Sequence, residues 1–454
     1  MPEIMLMTSR SGLFRQLAAG AVLYGATALP AAAQRDSVPA RPITIGEAAR
    51  IAARRGVLAL SAIARADQAD ARVTQRRAEL LPSLSASDLQ AGRTFNTATF
   101  GIPFPGFPPG GAVVGPVNTV DLRARGSQTL FDAGAFQRVR SARASALAIR
   151  TEASSIAEQA AATAAGAYVR AARARAQLSA RIADSVLADS LVAIARAQLR
   201  AGVGVGLDVT RAQAQLSGTR AQLIVARNER DRSQLDLVHA LGLPLDAPLL
   251  LADTLAFPAA DSMPGESQAV SLALRNRPDL RAADEQLRAA EVGIKAIRAE
   301  RLPTIALFGD EGWIGLGYTR LLRTYDWGLQ LSLPLFDGFR REGRVAEQEA
   351  LAREIDARRR DLREQVATDV RGALLDLASG REQLGAASER LRLARQELAQ
   401  AQERFRAGVA GNADVITASL SLNAARTLVV DALTAYQSAR IELARAEGGI
   451  TSLP

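Results

Sequence analysis

The sequence contains no cysteine and only one histidine, His239, among its 454 residues. Without cysteine the chain has no disulfides, thiolate zinc sites, iron–sulfur clusters or cysteine nucleophiles. A single histidine disfavours histidine-based metal centres and Ser-His-Asp hydrolysis. No paired acid–base system stands out among the remaining residues. The sequence therefore predicts a protein that is not an enzyme, with no catalytic residues, no metal site and no cofactor.

Aromatic residues are also scarce, at 4%, whereas 48% of the residues are apolar and many of these are alanine. This composition favours helices that pack closely through small side chains over a bulky globular core. Lys295 is the only lysine, so the 56 basic residues are almost all arginine, and 47 acidic residues are interspersed among them. Interspersed charges are typical of solvated helix faces. The formal charge of +9 therefore does not indicate a nucleic-acid partner.

The first 33 residues have the pattern of a secretory signal peptide. Arg10 and Arg15 precede an apolar stretch at 17–29, and the alanines at 31–33 provide a cleavage site. The apolar stretch, at roughly 13 residues, is shorter than the about 20 residues that span a bilayer. A buried core helix is the alternative. The sequence predicts an exported protein with a signal peptide at 1–33.

Internal similarity indicates a duplicated chain. Three segments recur in the same order at offsets of about 200 residues, with 199–209 resembling 405–415, 130–132 resembling 335–337, and 79–82 resembling 300–303. Such self-similarity is the sequence signature of repeated structural units. We expect a first structural repeat at 34–242, a linker or equatorial segment at 243–266, and a second structural repeat at 267–450.

Proline placement predicts long helices in both halves. No proline falls between Pro116 and Pro244 or between Pro334 and Pro454, and a proline inside a helix costs about 3 kcal/mol. Large and small residues alternate in heptads in the second gap: Val370, Leu377, Leu384, Leu391, Leu398 and Phe405 with Gly380, Ala387, Ala394 and Ala401. This alternation predicts a coiled-coil seam with closely approaching helices. The first copy is less regular, with Leu178, Val192 and Leu199 in the same phase.

Start and stop signals place the ends of these helices. Thr44 and Glu47 form a predicted capping box, and Asp132 and Asp337 are predicted to cap the two long helices. The first long helix and its glycine-containing tip are expected at about 135–206, and the second at about 339–412. A shorter helix returns from each tip.

Two β-hairpins are predicted ahead of the long helices, at about 83–131 and about 304–335. Apolar and polar side chains alternate along residues 120–130 and 325–335, and four aromatic residues lie near the strand ends: Trp313, Tyr318, Tyr325 and Trp327. A soluble sandwich has the same alternation, but strands of about ten residues also have the length that crosses an outer membrane when tilted. Four strands cannot close a barrel in lipid. Several chains must therefore pool their strands, and the sequence implies an oligomer.

This duplicated plan resembles the TolC family of trimeric outer-membrane efflux and secretion channels. The resemblance extends from about Ile43 to Gly448 and is carried by 43–49 (ITIGEAA), 276–280 (NRPDL), 335–338 (LFDG) and the two RAGV…DV turns. It implies a mixed, mainly α fold in which a long antiparallel α-helical coiled-coil barrel joins a transmembrane β-barrel. Each chain of the homotrimer would contribute four of twelve strands. The implied location is the outer membrane of a Gram-negative bacterium, with a long periplasmic portion.

The resemblance further implies a passive exit duct of a tripartite efflux or type I secretion system. Its partners would be outer-membrane lipid, a periplasmic adaptor (membrane fusion) protein and an inner-membrane pump. The adaptor-docking tips map onto Ala201, Gly202, Val203, Ala407, Gly408 and Val409. A plain helix-hairpin turn that needs glycine for its geometry alone is the alternative for these residues.

The channel entrance and gate map onto Asp208, Asp414, Phe405 and Thr417. A threefold ring of carboxylates at Asp208 and Asp414 would favour cations, and an N-cap on the returning helix is the alternative role of each aspartate. Phe405, Ala410 and Thr417 stand where some family members carry a tyrosine, an arginine and a second acid. These departures predict a leakier or hydrophobically sealed tip.

A periplasmic coiled-coil adaptor or scaffold without a pore is the alternative function. An adaptor would place one helical hairpin inside compact β domains. This chain instead has two hairpin–helix halves in tandem and strands of membrane-crossing length, which favours the channel.

Overall fold

The computed structural model describes residues 42–100, 106, 108, 111–255, 263–407, 409 and 411–453. The predicted signal peptide at 1–33 lies outside the described residues. The helices are α1 (Ile45–Arg55), α2 (Val57–Ala78), α3 (Ala133–Arg200), α4 (Gly206–Ala240), α5 (Glu266–Asn276), α6 (Pro278–Ala299), α7 (Arg340–Arg406) and α8 (Asn412–Ala446). The strands are β1 (Pro42–Ile43), β2 (Ser83–Asn96), β3 (Val113–Asp132), β4 (Leu250–Leu251), β5 (Thr304–Gly315) and β6 (Leu321–Ser332). The prediction of a mainly helical chain is confirmed.

Two pairs of helices, each with one long and one short member, dominate the structure. Helix α3 has 68 residues and packs against α4, which has 35. Helix α7 has 67 residues and packs against α8, which also has 35. At 1.5 Å per residue each long helix extends for roughly 100 Å. The two pairs therefore have nearly the same dimensions.

The seam of the α7–α8 pair buries the predicted heptad. Its buried large residues are Val370, Leu377, Leu384, Leu398 and Phe405, and Gly380, Ala387 and Ala394 lie buried between them. A Cβ atom on Gly380 would lie 3.2 Å from Tyr436 Cα on α8. The predicted close approach of the helices is therefore confirmed in α7. In α3 the prediction is confirmed at Val192, which packs with Ala188 and Ala195 against α4, and is wrong at Leu199, which is 43% exposed.

Two of the three predicted caps are confirmed. Thr44 and Glu47 form a reciprocal capping box at the start of α1, and Asp132 accepts a 2.8 Å hydrogen bond from Ala135 N at the start of α3. The cap at Asp337 is wrong, because β6 ends earlier, at Ser332, and Gly338 and Phe339 turn through left-handed conformations before α7 begins. Asp337 instead pairs with Arg341 at 3.2 Å.

The larger sheet is antiparallel throughout, in the order β2-β3-β5-β6. Its two hairpins thus lie side by side and are joined through β3 and β5, which come from opposite halves of the sequence. Among the described residues β2 and β6 each have one unpaired edge. The short strands β1 and β4 pair in parallel elsewhere, which fixes part of the predicted linker against the start of the described chain.

A buried tyrosine on α3 is hydrogen bonded to both segments of the β1–β4 pair. The Tyr168 hydroxyl, on α3, donates to the carbonyl of Ile43 at 2.9 Å and accepts from Asp253 N at 3.0 Å. Burial raises the pKa of Tyr168 to about 12. The hydroxyl therefore stays protonated and able to donate throughout the physiological range.

The glycine seam yields a stability prediction. Gly380→Leu should lower the free energy of unfolding by about 1–3 kcal/mol, because the new side chain must push α8 away. Gly385 is the matched control, since it lies on the same helix with open space around it. Gly385→Ala should stabilise the chain by up to about 1 kcal/mol through helix propensity. Thermal unfolding followed by circular dichroism measures both, and an unchanged midpoint for Gly380→Leu would contradict the close approach.

Candidate functional site

The tip between α3 and α4 is a tight reversal built on Gly202. Gly202 has a φ of +75°, its N–H donates to Leu199 O, and Val203 N donates to Gln198 O, both at 3.1 Å. These two bonds are those of a Schellman motif, which needs a left-handed residue at this position. The glycine is thus required by the geometry of the helix end.

The tip between α7 and α8 has a matching bond. Val409 N donates to Arg404 O at 3.0 Å. Of the two Schellman bonds, this is the one that spans five residues along the chain. The predicted docking residue Gly408, like Ala410, lies outside the described residues. Ala201 and Ala407 each end their long helix as the C-cap residue, and both are exposed.

Apolar side chains project from both tips. Val203 is 79% exposed and Val409 is 68% exposed, and the first tip adds Val205 and Leu207 at 59% and 56%. Exposed apolar residues concentrated at a helix reversal exceed what the turn geometry requires. Such a cluster is typical of a surface that another protein covers.

Asp208 and Asp414 occupy equivalent places after the two tips. Each is the third residue of its helix, and the N-cap residues are Val205 and Gly411. The alternative role as N-caps is therefore wrong, since neither carboxylate closes a helix end. Asp208 is half-buried and Asp414 is exposed, and neither forms an ion pair with a described residue. Their carboxylates are compatible with the positive ends of the two helix dipoles.

Phe405 and Thr417 differ in exposure. Phe405 is 6% exposed and packs inside the helix pair with Val415 and Ala418. Thr417 is exposed and donates its hydroxyl to Ala413 O at 2.9 Å within its own helix. Within this chain Phe405 thus contributes to the core of the helix pair.

The two tips are tied together by Asn412, which the sequence reasoning missed. Asn412 is fully buried, and its Nδ2 donates to the backbone carbonyl of Asp208 at 2.9 Å. The bond joins the first turn of α8 to the first turn of α4. A polar residue at the start of a helix is ordinarily interpreted as a cap, so no local signal indicated a contact with the other half of the chain.

A second missed group lies between α3 and α8. Asp184 is 1% exposed. Its carboxylate pairs with Arg426 of α8 at 2.6 Å and with Arg181 of its own helix at 3.2 Å. Nearer the sheet, Arg173 of α3 pairs with Asp431 of α8 at 2.8 Å. Asp184 stands seven residues before the buried Leu191, and this heptad spacing is the signal that could have found it.

The NRPDL motif forms a buried ion-pair corner at the α5–α6 junction. Arg277 is 7% exposed and pairs with Asp279 at 2.6 Å and with Asp369 of α7 at 2.8 Å. Burial works to raise the pKa of Asp369, but hydrogen bonds from Arg277 and Gln365 outweigh it and hold the pKa below its usual value. The contribution of ionised Asp369 to the stability of the folded state is fully present above the unfolded-state pKa of about 4. It is lost as the pH falls through the lowered folded-state value.

The pairing register gives the four-stranded sheet one apolar face. Directly opposed residues share a face, and Leu307 opposes Leu329, Ile305 opposes Leu331, and Leu122 opposes Trp313. The β6 members of this face are strongly exposed, between 64% and 73%: Tyr325, Trp327, Leu329 and Leu331. An exposed apolar face on both hairpins is typical of contact with lipid.

The opposite face is polar and carries most of the charge. One row across the four strands reads Ser85, Arg125, Asp310 and Asp326, and the next reads Ser87, Arg123, Gly312 and Thr324. Arg123 bridges strands by pairing with Asp310, with Asp121 at 3.2 Å, and with Thr324 Oγ1 at 3.2 Å. The predicted alternation of the strands is therefore confirmed on both hairpins.

None of the helices in the described part of the chain combines the length and hydrophobicity needed to cross a membrane.

The family model described as outer membrane efflux protein matches residues 53–243 and 269–449. The two matched segments cover well over half of the sequence and one lies in each half. The chain therefore belongs to the outer membrane efflux protein family and is an outer-membrane protein, and the predicted TolC-family resemblance is confirmed.

Similar proteins agree with this family. Protein CyaE of Bordetella pertussis is 28% identical over 272 residues, which are 58% of this chain and 56% of CyaE. The alkaline protease secretion protein AprF of Pseudomonas aeruginosa is 28% identical over 227 residues, which are 49% of this chain and 46% of AprF. The chain thus spans about half the length of the curated relatives it matches. The Campylobacter jejuni CmeC outer membrane channel shares the fold, with a TM-score of 0.73 and 18% identity over 89% of this chain and 85% of that one.

The buried ion pair between α3 and α8 gives a second prediction. Arg426→Ala should lower the free energy of unfolding by about 2 kcal/mol, because it leaves the buried Asp184 with only Arg181 as a charged partner. Arg392→Ala is the matched control, since its pair with Glu389 on α7 is more than half exposed at both side chains and contributes little. Denaturant unfolding of the purified protein compares them. Equal losses in the two variants would show that the buried pair does not stabilise the helix contact.

Proposed function

We propose that this chain forms a homotrimeric outer-membrane channel, the passive exit duct of a tripartite efflux or type I secretion system. The observation that carries the proposal is the four-stranded sheet, with its strongly exposed apolar face and polar opposite face. Its edge strands β2 and β6 are unpaired among the described residues. In lipid an unpaired backbone edge costs several kcal/mol per group. Three chains joined edge to edge would close twelve strands into one barrel with the apolar face outward.

The two helix pairs supply the rest of the duct. Their nearly equal lengths, 68 and 35 against 67 and 35 residues, support two tandem repeats at 34–242 and 267–450, linked through 243–266. Six such pairs in a trimer would form an α-helical barrel about 100 Å long. This length suits a periplasmic tunnel that meets its partners at the far end.

The tips would be the meeting point with a periplasmic adaptor, through which an inner-membrane pump loads the duct. Their exposed valines provide an apolar contact, and Gly202 keeps the turn tight enough to present them. Asp208 and Asp414 would form carboxylate rings just above the tips, and Thr417 would face the same entrance. Because Phe405 is buried inside its own helix pair, we propose a tip closed by helix position, without a side-chain plug.

The channel proposal is tested by single-channel conductance in a planar bilayer combined with size determination in detergent. Stable trimers should show a discrete, cation-preferring conductance. Asp414→Asn should reduce the cation preference, because it removes three carboxylates from one ring. Asp361→Asn is the matched control, since it removes the same exposed charge from α7 roughly 65 Å from the tip. Monomers that never conduct would overturn the channel proposal.

Docking at the tips is tested in the parent bacterium after deletion of the chromosomal gene. The double variant Val203→Asp and Val409→Asp should fail to restore export of the compound that the deletion strain no longer exports. Burying a charged side chain in an apolar contact is energetically unfavourable. The bilayer conductance of the double variant should persist. Thr210→Asp, which adds a charge at an exposed position one turn above the first tip, should restore export. Full export by the double variant would exclude an apolar docking contact at the tips.

A further inference from the structure

Arg125 stands out on the polar face of the sheet because it has no ion-pair partner among the described residues. In register it lies directly beside Asp310, but Asp310 is already bound by Arg123. Arg123 is largely covered, with a side chain 15% exposed, whereas Arg125 is exposed. The two arginines therefore differ in role: one joins strands, and the other presents a free guanidinium.

Hydroxyl groups surround this guanidinium on the same face. Ser85 lies directly opposite Arg125 on β2, with Ser83 and Ser87 one row to either side, and Ser127 is the next residue of β3 on this face. The β2 side of the face carries no acid between Ser83 and Ser87, and the free carboxylate of Asp326 lies two strands away on β6. The hydroxyls of Ser83 and Ser127 are hydrogen bonded to each other at 2.7 Å and Ser87 donates to Arg123 O at 3.5 Å, so Ser85 is the member with no hydrogen bond to a described residue. The β2–β3 side of the polar face is therefore cationic and offers one further donor beside Arg125.

We propose that Arg125 and the serines around it form an anion-contact patch on the inner wall of the barrel, which recognises carboxylate or phosphate groups of solutes leaving through it. The guanidinium offers two parallel N–H donors, which match a carboxylate or phosphate, and the hydroxyl of Ser85, directly opposite, adds a further donor. This inference rests on the proposed function, because the polar face lines a lumen only if the sheet closes into a barrel.

The patch would act separately from the carboxylates at the helix tips. It lies on the sheet, at the opposite end of α3 from Asp208. In the trimer three such patches would alternate with the acidic β5–β6 sides of the same wall. Solutes with negative groups would therefore meet fixed positive charge only after passing the acidic entrance.

The experiment uses the absence of cysteine from the chain. Ser85→Cys places a single thiol opposite Arg125, and the neighbouring Ala86→Cys places one on the apolar face. The full-length protein in lipid vesicles is reacted with anionic sulfonatoethyl or cationic trimethylammonioethyl methanethiosulfonate, and labelling is followed by mass spectrometry. The ratio of the anionic to the cationic rate at Ser85→Cys reports the local potential, independently of conductance through the tip.

With Arg125→Ser added, this ratio should fall about threefold at low ionic strength and less at high salt, as expected for one unit charge at short range. Arg125→Lys should keep most of the ratio. Arg323→Ser removes an arginine from the apolar face and should leave the ratio unchanged. A ratio that does not respond to Arg125→Ser, or responds equally to Arg323→Ser, overturns the patch.

Comparison of the two cysteine positions distinguishes failure of the anion-contact patch from failure of the channel proposal. In a closed barrel Ser85→Cys reacts readily and Ala86→Cys, held in lipid, does not. Equal reactivity of the two thiols would overturn the barrel and the patch with it. Unequal reactivity with an unresponsive ratio would overturn the patch alone.

Discussion

The close approach of paired helices through small side chains is the interaction on which the rest of the structure depends. At Gly380 a Cβ atom would come within 3.2 Å of the backbone of Tyr436, and buried alanines continue the same seam toward the tip. With so few aromatic residues, the described part of the chain buries its apolar side chains in several separate clusters, which are distributed along about 100 Å of helix. Many small contacts of this kind hold each long helix against its partner along its length.

The contact between the helix pairs combines apolar packing, as at Leu191 of α3 against Leu398 and Val415, with charged and polar bonds. Asp184 with Arg426, Arg173 with Asp431, and Asn412 with the carbonyl of Asp208 all join α8 to the first pair. Hydrogen-bonded charges fix one relative position, whereas apolar surfaces are non-directional. If α7 and α8 shifted together relative to α3 and α4, these bonds would break while the seam within each helix pair stayed intact. Arg181 would still partner the buried Asp184, which lowers the cost of the shift. In the proposed channel these bonds between α3 and α8 would help to set the position of the tips.

Much of this fold could be predicted because its local signals agree with its long-range packing. Proline gaps, heptads and period-two alternation each follow from the geometry of one element, and the helix pairs and the two-faced hairpins were predictable for that reason. The errors lie where two distant segments meet. Asp337 looks like a cap in isolation, but a left-handed turn at Gly338 and Phe339 intervenes. Asp184 pairs with Arg426, and Asn412 with the carbonyl of Asp208, in the other half of the chain, and no pattern within a window of sequence contains those pairings.

The sheet explains why the proposed channel needs more than one chain. Strands β3 and β5 pair across the two halves of the sequence and complete each other's backbone hydrogen bonds, while β2 and β6 each keep one edge that no described residue pairs. Lengthening the strands cannot remove these edges; only closure can. The apolar face that favours lipid lies on the same sheet as the two unpaired edges, whose backbone groups are costly to expose to lipid. Membrane insertion and subunit assembly are therefore coupled in the proposed channel. The polar face becomes a lumen, with Arg125 on its wall, only when the last edge is paired.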